Sequence, residues 1–138
     1  MSILVIDVGT SGLRAAVVRP DATIAAEQHR ELLPDTPAAG LVEFDAARMA
    51  QTALEVARAV LAEGGPVDAV GITNQRASTI VWDRATGVPV GPGIGWQDLR
   101  TVGTCLVLQA DGLHVAPNAS ATKAAFLQIG RASCRERV

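Results

Sequence analysis

Aromatic residues and cysteines are scarce in this sequence of 138 residues. It has two tryptophans, two phenylalanines and no tyrosine, so a core must be packed mainly by valine, isoleucine, leucine and alanine. The two cysteines, Cys105 and Cys134, are too few for a disulfide framework or a cysteine-rich metal site. Cys105 falls in an apolar stretch with helical spacing, which predicts an ordinary core residue.

Strong charge and long apolar runs are also missing. The formal net charge is −2 and no basic cluster occurs, which argues against nucleic acid or an anionic membrane as a partner. No apolar run approaches the ~20 residues that a bilayer-spanning helix needs. The first residues, MSILVID, resemble a strand and lack the basic and apolar regions of a signal peptide. The sequence therefore predicts a cytoplasmic protein without a membrane partner.

The apolar pattern predicts an α/β fold of one domain at most. Residues 3–6, 13–18 and 23–31 are strand-like and joined by tight turns, which force antiparallel neighbours. A helix is expected from Asp45, its N-cap, to the Gly-Gly-Pro sequence at residues 64–66. The next strand, at residues 67–72, should run parallel to the first if the helix is a right-handed crossover.

Shorter elements are expected in the second half of the chain. Residues 79–82 and 88–90 resemble a pair of short strands around a turn. A helix should run from Asp98 to about Ala110, with Gly112 at its C-terminal cap. A third helix should begin near Ser120.

Where the first strand ends, the sequence IDVGTSGLR combines a carboxylate, hydroxyl groups and glycines. A carboxylate there suits Mg²⁺, bound directly or through water, and glycines without a Cβ let the backbone approach phosphate oxygens. Hydroxyl groups, backbone N–H groups and a guanidinium add donors. The candidate cofactor-binding residues are Asp7, Gly9, Thr10, Ser11, Gly12 and Arg14, with Asp7 also the candidate metal ligand. The same residues equally suit a plain hairpin turn, and no Walker A lysine is present.

Three further segments favour the nucleotide-binding interpretation of this turn over a plain hairpin. They are residues 40–45 (GLVEFD), residues 71–83 (GITNQRASTIVWD) and residues 95–101 (GWQDLRT). With the Asp7 turn they resemble, in order and at similar spacing, the N-terminal part of FGGY-family carbohydrate kinases, the glycerol-kinase-like proteins. The resemblance covers residue 1 to about residue 127. It implies a ribonuclease-H-like, actin-type ATPase fold, truncated here, with three N-terminal antiparallel strands in a mixed sheet flanked by helices.

The resemblance also implies ATP and Mg²⁺ as cofactors and transfer of the γ-phosphoryl group to a hydroxyl of a sugar or polyol. By position, Arg76 and Trp96 match substrate-site residues of the family. A guanidinium can hold two vicinal hydroxyls, and an indole face can cover the C–H side of a polyol. The resemblance leaves open whether a full-length relative is a homo-oligomer.

Several positions depart from the glycerol kinase pattern. Ala77 stands where those proteins have a glutamate, and Asn118 where they have a substrate-contacting tyrosine, so glycerol itself is less well supported than the family. The family's general base, an aspartate, is expected in a missing second half, and no catalytic residue is nominated here. His29 and His114 are isolated, and Lys123 is expected to be an exposed helix residue.

Residues 128–138 break the helical pattern and resemble a translated sequencing adapter, so we expect a non-native tail after a partial kinase domain at residues 1–127. A genuine basic tail is the alternative. Two other functions also stay open. One is an actin-like nucleotide-binding module without small-molecule kinase activity, which would have no need of Arg76 and Trp96. The other is an inactive fragment that leaves an apolar flank exposed.

Overall fold

The computed structural model describes the backbone of residues 1–135 and the side chains of residues 1–128. The chain divides into two compact units. Unit 1 contains Met1–Leu33 and Ala47–Gln75, and unit 2 contains Pro34–Ala46 and Arg76–Val138. The described elements are, in chain order, β1 (Ile3–Val8), β2 (Gly12–Val18), β3 (Ile24–Glu31), β4 (Glu43–Phe44), α1 (Ala46–Gly64), β5 (Ala69–Asn74), β6 (Gly93–Ile94), α2 (Val102–Ala110) and α3 (Ser120–Arg135).

Unit 1 is built on a four-stranded sheet with the order β3-β2-β1-β5. Strands β1, β2 and β3 are antiparallel neighbours, and β5 pairs parallel to β1. The predicted topology of this sheet is therefore confirmed. β5 lies at the edge of the sheet and leaves Val70 and Ile72 exposed by 57% and 73%.

The core of unit 1 lies between one face of this sheet and α1. Every second residue of β1 and β2 faces the helix because side chains alternate along a strand. The buried apolar residues are Leu4, Ala15, Val17, Ala26, Val56, Ala57 and Val60. Each fully buried valine or leucine contributes about 1.5–3 kcal/mol relative to an exposed one. The helix ends as predicted, because Gly65 takes a φ of +75° and its N–H bonds back to the Leu61 carbonyl.

Unit 2 has little regular sheet. β4 and β6 form a two-stranded antiparallel pair that the sequence did not predict. The expected short strands at residues 79–82 and 88–90 form only isolated bridges, Thr79 with Ile94 and Trp82 with Pro89. Pro89 lacks an N–H, so it cannot extend a ladder of hydrogen bonds.

Helix α2 differs from expectation at its start. α2 begins at Val102 rather than at Asp98, because the Asp98 carboxylate accepts backbone and side-chain hydrogen bonds outside the helix. Its end agrees with the prediction, since Gly112 has a φ of +86°. Cys105 is buried in α2, as expected.

α3 begins at Ser120 as predicted, and its backbone continues to Arg135. The predicted non-native tail, residues 128–138, lies largely outside the described residues, because no side chain is described after Gln128. It stays a prediction. Within residues 1–135, no helix combines the length and the apolar character that crossing a membrane requires.

Candidate functional site

The candidate phosphate-binding turn is an exposed hairpin between β1 and β2. The Gly9 N–H donates to the Gly12 carbonyl at 2.9 Å and closes the turn. Asp7 and Ser11 are exposed, so the turn is not buried in the core of unit 1. Among residues 1–128, no side chain forms a hydrogen bond or ion pair with the Asp7 carboxylate. This carboxylate is therefore available to a ligand or to a hydrated cation.

The sheet register gives Asp7 polar neighbours. Arg14 of β2 and Thr73 of β5 lie directly opposite Asp7, and His29 of β3 lies opposite Arg14. Paired residues share a face of the sheet, and alternation puts this row on the face opposite α1. The row places Thr73 and His29 beside the predicted site; the sequence had treated His29 as isolated, and Thr73 only as part of a family-like segment.

Gly12 is required by space. A Cβ at this position would lie 2.6 Å from both the Arg30 carbonyl oxygen and the His29 Nε2 atom. Neither Gly9 nor Gly12 takes a positive φ, so conformational freedom is not what selects glycine at these positions. The missing side chain lets β3 approach the turn closely.

Gln75, at the end of β5, supports the turn from the other side. Its backbone N–H donates to the Val8 carbonyl at 2.9 Å, and its Nε2 donates to the Gly9 carbonyl at 3.4 Å. The sequence had assigned this glutamine only to a family-like segment. Its position shows that residues 71–75 belong to the support of the hairpin.

Arg14 is engaged in an exposed ion pair. Its Nε lies 3.1 Å from Glu27 Oε1, with side-chain exposures of 60% and 39%. Pairs this exposed are weak, typically below ~1 kcal/mol. Arg14 can therefore exchange Glu27 for a phosphate at little cost.

The two candidate substrate residues both belong to unit 2. Arg76 is exposed, and among residues 1–128 it has no ion-pair partner. Trp96 is 42% exposed, which excludes an ordinary core aromatic. The backbone N–H of Trp96 donates to Ser78 Oγ at 3.0 Å and so links the two segments that carry these residues. The Asp7 turn belongs to the other unit, and the predicted cleft shared with it stays a prediction.

Lys123 was expected to be exposed, and this is wrong. Its side chain is fully buried, with Nζ donating to the carbonyl oxygens of Gly95 at 2.7 Å and Ala77 at 3.2 Å. Burial lowers the pKa of its amine below the usual 10.5. The residue lies in an alanine-rich helix without acidic neighbours in sequence, so nothing but its being the single lysine marked it out before the structure was known.

Asp98, Arg100 and Glu43 form a second polar network, in which Asp98 is buried and the other two side chains are partly buried. The Asp98 carboxylate accepts from the Val42 N–H at 2.6 Å and from Arg100 Nε at 2.7 Å. Arg100 Nη2 also reaches Glu43 at 2.8 Å. Burial alone would raise the pKa of Asp98, but these hydrogen bonds outweigh it and hold the pKa below 3.8. The bonds with Asp98 raise the pKa of Arg100 in turn. Arg100 is therefore a structural residue of unit 2.

Two departures from the family pattern occupy exposed or strained positions. Ala77 takes a φ of +64°, in the left-handed region that residues with a side chain seldom adopt. Asn118 is exposed in the turn before α3.

Among the described residues, no cluster of three or more His, Cys, Asp or Glu side chains could hold a metal ion.

Known proteins match this chain along most of its length. Residues 2–125 match the profile described as "FGGY family of carbohydrate kinases, N-terminal domain". The glycerol kinase of Xanthobacter autotrophicus is 45% identical over 139 residues, which cover 91% of this chain and 28% of that protein. The glycerol kinase of Rhodospirillum centenum is 42% identical with the same coverage. The chain thus spans less than a third of the curated relatives it matches.

Solved structures show the same fold. A "xyloylose kinase" from Brucella ovis has a TM-score of 0.85 at 24% identity, covering 100% of this chain and 31% of that chain. Plasmodium falciparum glycerol kinase, solved with ADP, has a TM-score of 0.80 at 24% identity. That match covers 91% of this chain and 28% of the Plasmodium chain. These likenesses confirm the predicted ribonuclease-H-like, actin-type ATPase fold.

Proposed function

The chain belongs to the FGGY family of carbohydrate kinases, and we propose that it forms the N-terminal part of an ATP-dependent kinase. The reaction is transfer of the γ-phosphoryl group of ATP to a hydroxyl of a sugar or polyol. The observation that carries the proposal is the exposed Asp7 hairpin, whose carboxylate has no partner among the described side chains and whose backbone is braced by Gln75.

The hairpin suits the phosphate groups of ATP. Thr10 and Ser11 contribute hydroxyl and N–H donors, and Arg14 contributes a guanidinium that is held only by an exposed ion pair. Mg²⁺ bound to ATP needs few protein ligands, because phosphate oxygens and water fill most of its octahedral sphere. The single exposed carboxylate of Asp7 fits that requirement. The metal would neutralise phosphate charge during the transfer.

Arg76 and Trp96 are proposed to hold the acceptor. The guanidinium of Arg76, which has no ion-pair partner among residues 1–128, can donate to two neighbouring hydroxyl groups at once. The exposed indole of Trp96 can cover the apolar side of the ring or chain. Both groups would orient the acceptor for in-line attack, and such positioning supplies much of the rate in phosphoryl transfer.

The relatives' names suggest glycerol or xylulose as acceptors. We favour an acceptor other than glycerol, because Ala77 removes one hydroxyl acceptor and Asn118 replaces an aromatic contact. A cytoplasmic location, and the absence of nucleic acid and membrane partners, stay predictions from composition. No residue of this chain is nominated as the general base, so we expect the 138-residue chain alone to show no acceptor-dependent release of ADP.

The decisive experiment is a chimera. Residues 1–127 of this chain would replace the aligned segment of the Xanthobacter autotrophicus glycerol kinase, which supplies the remainder of a kinase. A coupled ADP-release assay with a panel of polyols and ketoses should show acceptor-dependent turnover. ATP binding without phosphorylation of any acceptor would contradict the proposal and favour the actin-like nucleotide-binding module.

Arg76→Ala in this chimera tests the acceptor site. We expect kcat/KM for the acceptor to fall about 10–100-fold, as for the loss of a charged hydrogen bond, with KM for ATP unchanged. Arg84→Ala is the matched control, since Arg84 is another exposed arginine of unit 2. Equal losses in both variants would remove Arg76 from the acceptor site.

A further inference from the structure

We propose that Lys123 is a positioning residue, whose buried amine fixes the backbone that carries Arg76 and Trp96. The inference rests on the proposed function, because it takes these two residues as the ones that hold the acceptor. Lys123 has no access to solvent. It therefore acts through its neighbours rather than by touching the acceptor.

Both carbonyl groups that Lys123 binds adjoin a candidate substrate residue. Nζ donates to the carbonyl of Ala77, which directly follows Arg76, at 3.2 Å. It donates to the carbonyl of Gly95, which directly precedes Trp96, at 2.7 Å. Two segments that are distant in sequence therefore converge on a single ammonium group.

The hydrogen bonds form a closed ring. The Gly95 carbonyl and the Trp96 N–H belong to one peptide group, and that N–H donates to Ser78 Oγ at 3.0 Å. Ser78 is in turn joined through its own peptide group to the Ala77 carbonyl, which returns to Lys123. Fixing both sides of the Gly95–Trp96 peptide group sets the direction in which the indole leaves the backbone.

The surroundings suit a positioning role. Ala77 holds a positive φ of +64°, a strained conformation for a residue with a side chain, and a charged donor on its carbonyl helps to maintain it. A buried apolar side chain would fill the same space without the desolvation that a buried amine requires. The charged amine is retained at a point where the two substrate segments meet.

The ring can be tested first in the unmodified 138-residue chain. Lys123 is the single lysine, so its ¹⁵Nζ resonance is assigned without ambiguity. We expect a slowly exchanging ammonium signal with scalar couplings across hydrogen bonds to the carbonyl carbons of Ala77 and Gly95. A rapidly exchanging signal without these couplings would overturn the proposal.

Lys123→Met then tests whether the amine holds Trp96 in place. Amide exchange of Trp96, relative to that of the buried Val60 in α1, should accelerate about tenfold as local protection is lost. Thr122→Val is the matched control. It removes a buried hydroxyl one position earlier in α3, which bonds to the Thr101 hydroxyl and the Ala119 carbonyl but not to the carbonyls of Ala77 or Gly95. If the exchange ratio changes equally in both variants, Lys123 acts only on overall stability.

The chimera tests the consequence for binding. Lys123→Met should raise KM for the acceptor about tenfold with KM for ATP nearly unchanged, and Thr122→Val should raise neither. An equal rise in both KM values in the Lys123→Met chimera would overturn the positioning role. An unmodified chimera without activity would count against the proposed function, whereas the ammonium and exchange measurements would still decide the role of Lys123.

Discussion

The two units place their candidate functional residues by different means. In unit 1, the Asp7 hairpin is held by strand pairing, the Gly9–Gly12 turn hydrogen bond, and the backbone and side chain of Gln75. In unit 2, Arg76 and Trp96 are carried by irregular segments, which are held by the buried Lys123 and by the partly buried Asp98–Arg100–Glu43 network. The sheet of unit 1 positions its site through many backbone hydrogen bonds, each of them weak. The irregular segments of unit 2 depend instead on a few strong hydrogen bonds from charged side chains. Single substitutions should therefore disturb unit 2 more than unit 1.

The largest effect is expected from Asp98→Ala in unit 2. The carboxylate is fully buried and accepts hydrogen bonds from Val42 and Arg100, so its removal leaves the Arg100 guanidinium poorly compensated. The free energy of unfolding should fall by about 3–5 kcal/mol. Urea denaturation measures this loss. Asp21→Ala, at an exposed turn, is the control, and a loss below ~1 kcal/mol for Asp98→Ala would contradict the contrast between the units.

The same network predicts a pH dependence. Because the folded-state pKa of Asp98 lies below 3.8, its carboxylate stabilises the fold above that pH, and the contribution is lost as the pH falls through the folded-state pKa. The difference in unfolding free energy between the wild-type chain and Asp98→Asn should be constant from about pH 7 to pH 5. It should narrow below pH 3.8. A difference that does not change in acid would show that the charge of Asp98 is not what stabilises unit 2.

A smaller effect is expected from Gly12→Ala in unit 1. The new Cβ would lie 2.6 Å from the Arg30 carbonyl and push β3 from β2, at a cost of about 1–3 kcal/mol. Gly71→Ala is a matched control in the same sheet, since a Cβ at Gly71 would meet no atom within 4 Å. Thermal unfolding should separate the two variants by several degrees. Equal midpoints would mean that β3 can shift away from β2 without loss of stability. Strand pairing would then not determine the conformation of the turn.

The smallest effect is expected from the exposed Arg14–Glu27 pair. Glu27→Gln should change stability by less than ~1 kcal/mol, and added salt should reduce even that difference. Unfolding curves at low and high ionic strength check this. In the chimera, the same substitution should leave KM for ATP unchanged or lower it, because Arg14 is released toward phosphate. A marked rise in KM would show that Glu27 holds Arg14 in its working position.

The sequence predicts unit 1 better than unit 2 for a physical reason. Continuous apolar runs and helical spacing report which residues are buried, and they placed β1, β2, β3, α1 and β5 with the right pairing. Gly64-Gly65-Pro66 and Gly112 marked the helix ends because their local chemistry is sufficient. The family-like segments pointed to Asp7, Arg76 and Trp96 from residue type and order alone.

What the sequence could not give are contacts between segments far apart in the chain. Lys123 bonds across 46 and 28 residues, and Val42 bonds to Asp98 across 56. The spacing of apolar residues contains no information about such pairs. A polar residue in a helix is therefore predicted to be exposed. The start of α2 was misplaced for the same reason, since Asp98 looked like a helix residue until its distant partners were known.

The burial of Lys123 also determines how the folded chain responds to amine-directed reagents. Its side-chain amine is the only lysine amine in the sequence, and it is enclosed. An activated ester should therefore leave Lys123 unlabelled while the chain stays folded. A label on Lys123 would report that α3 has opened, which makes ordinary lysine chemistry a probe of local unfolding in this chain.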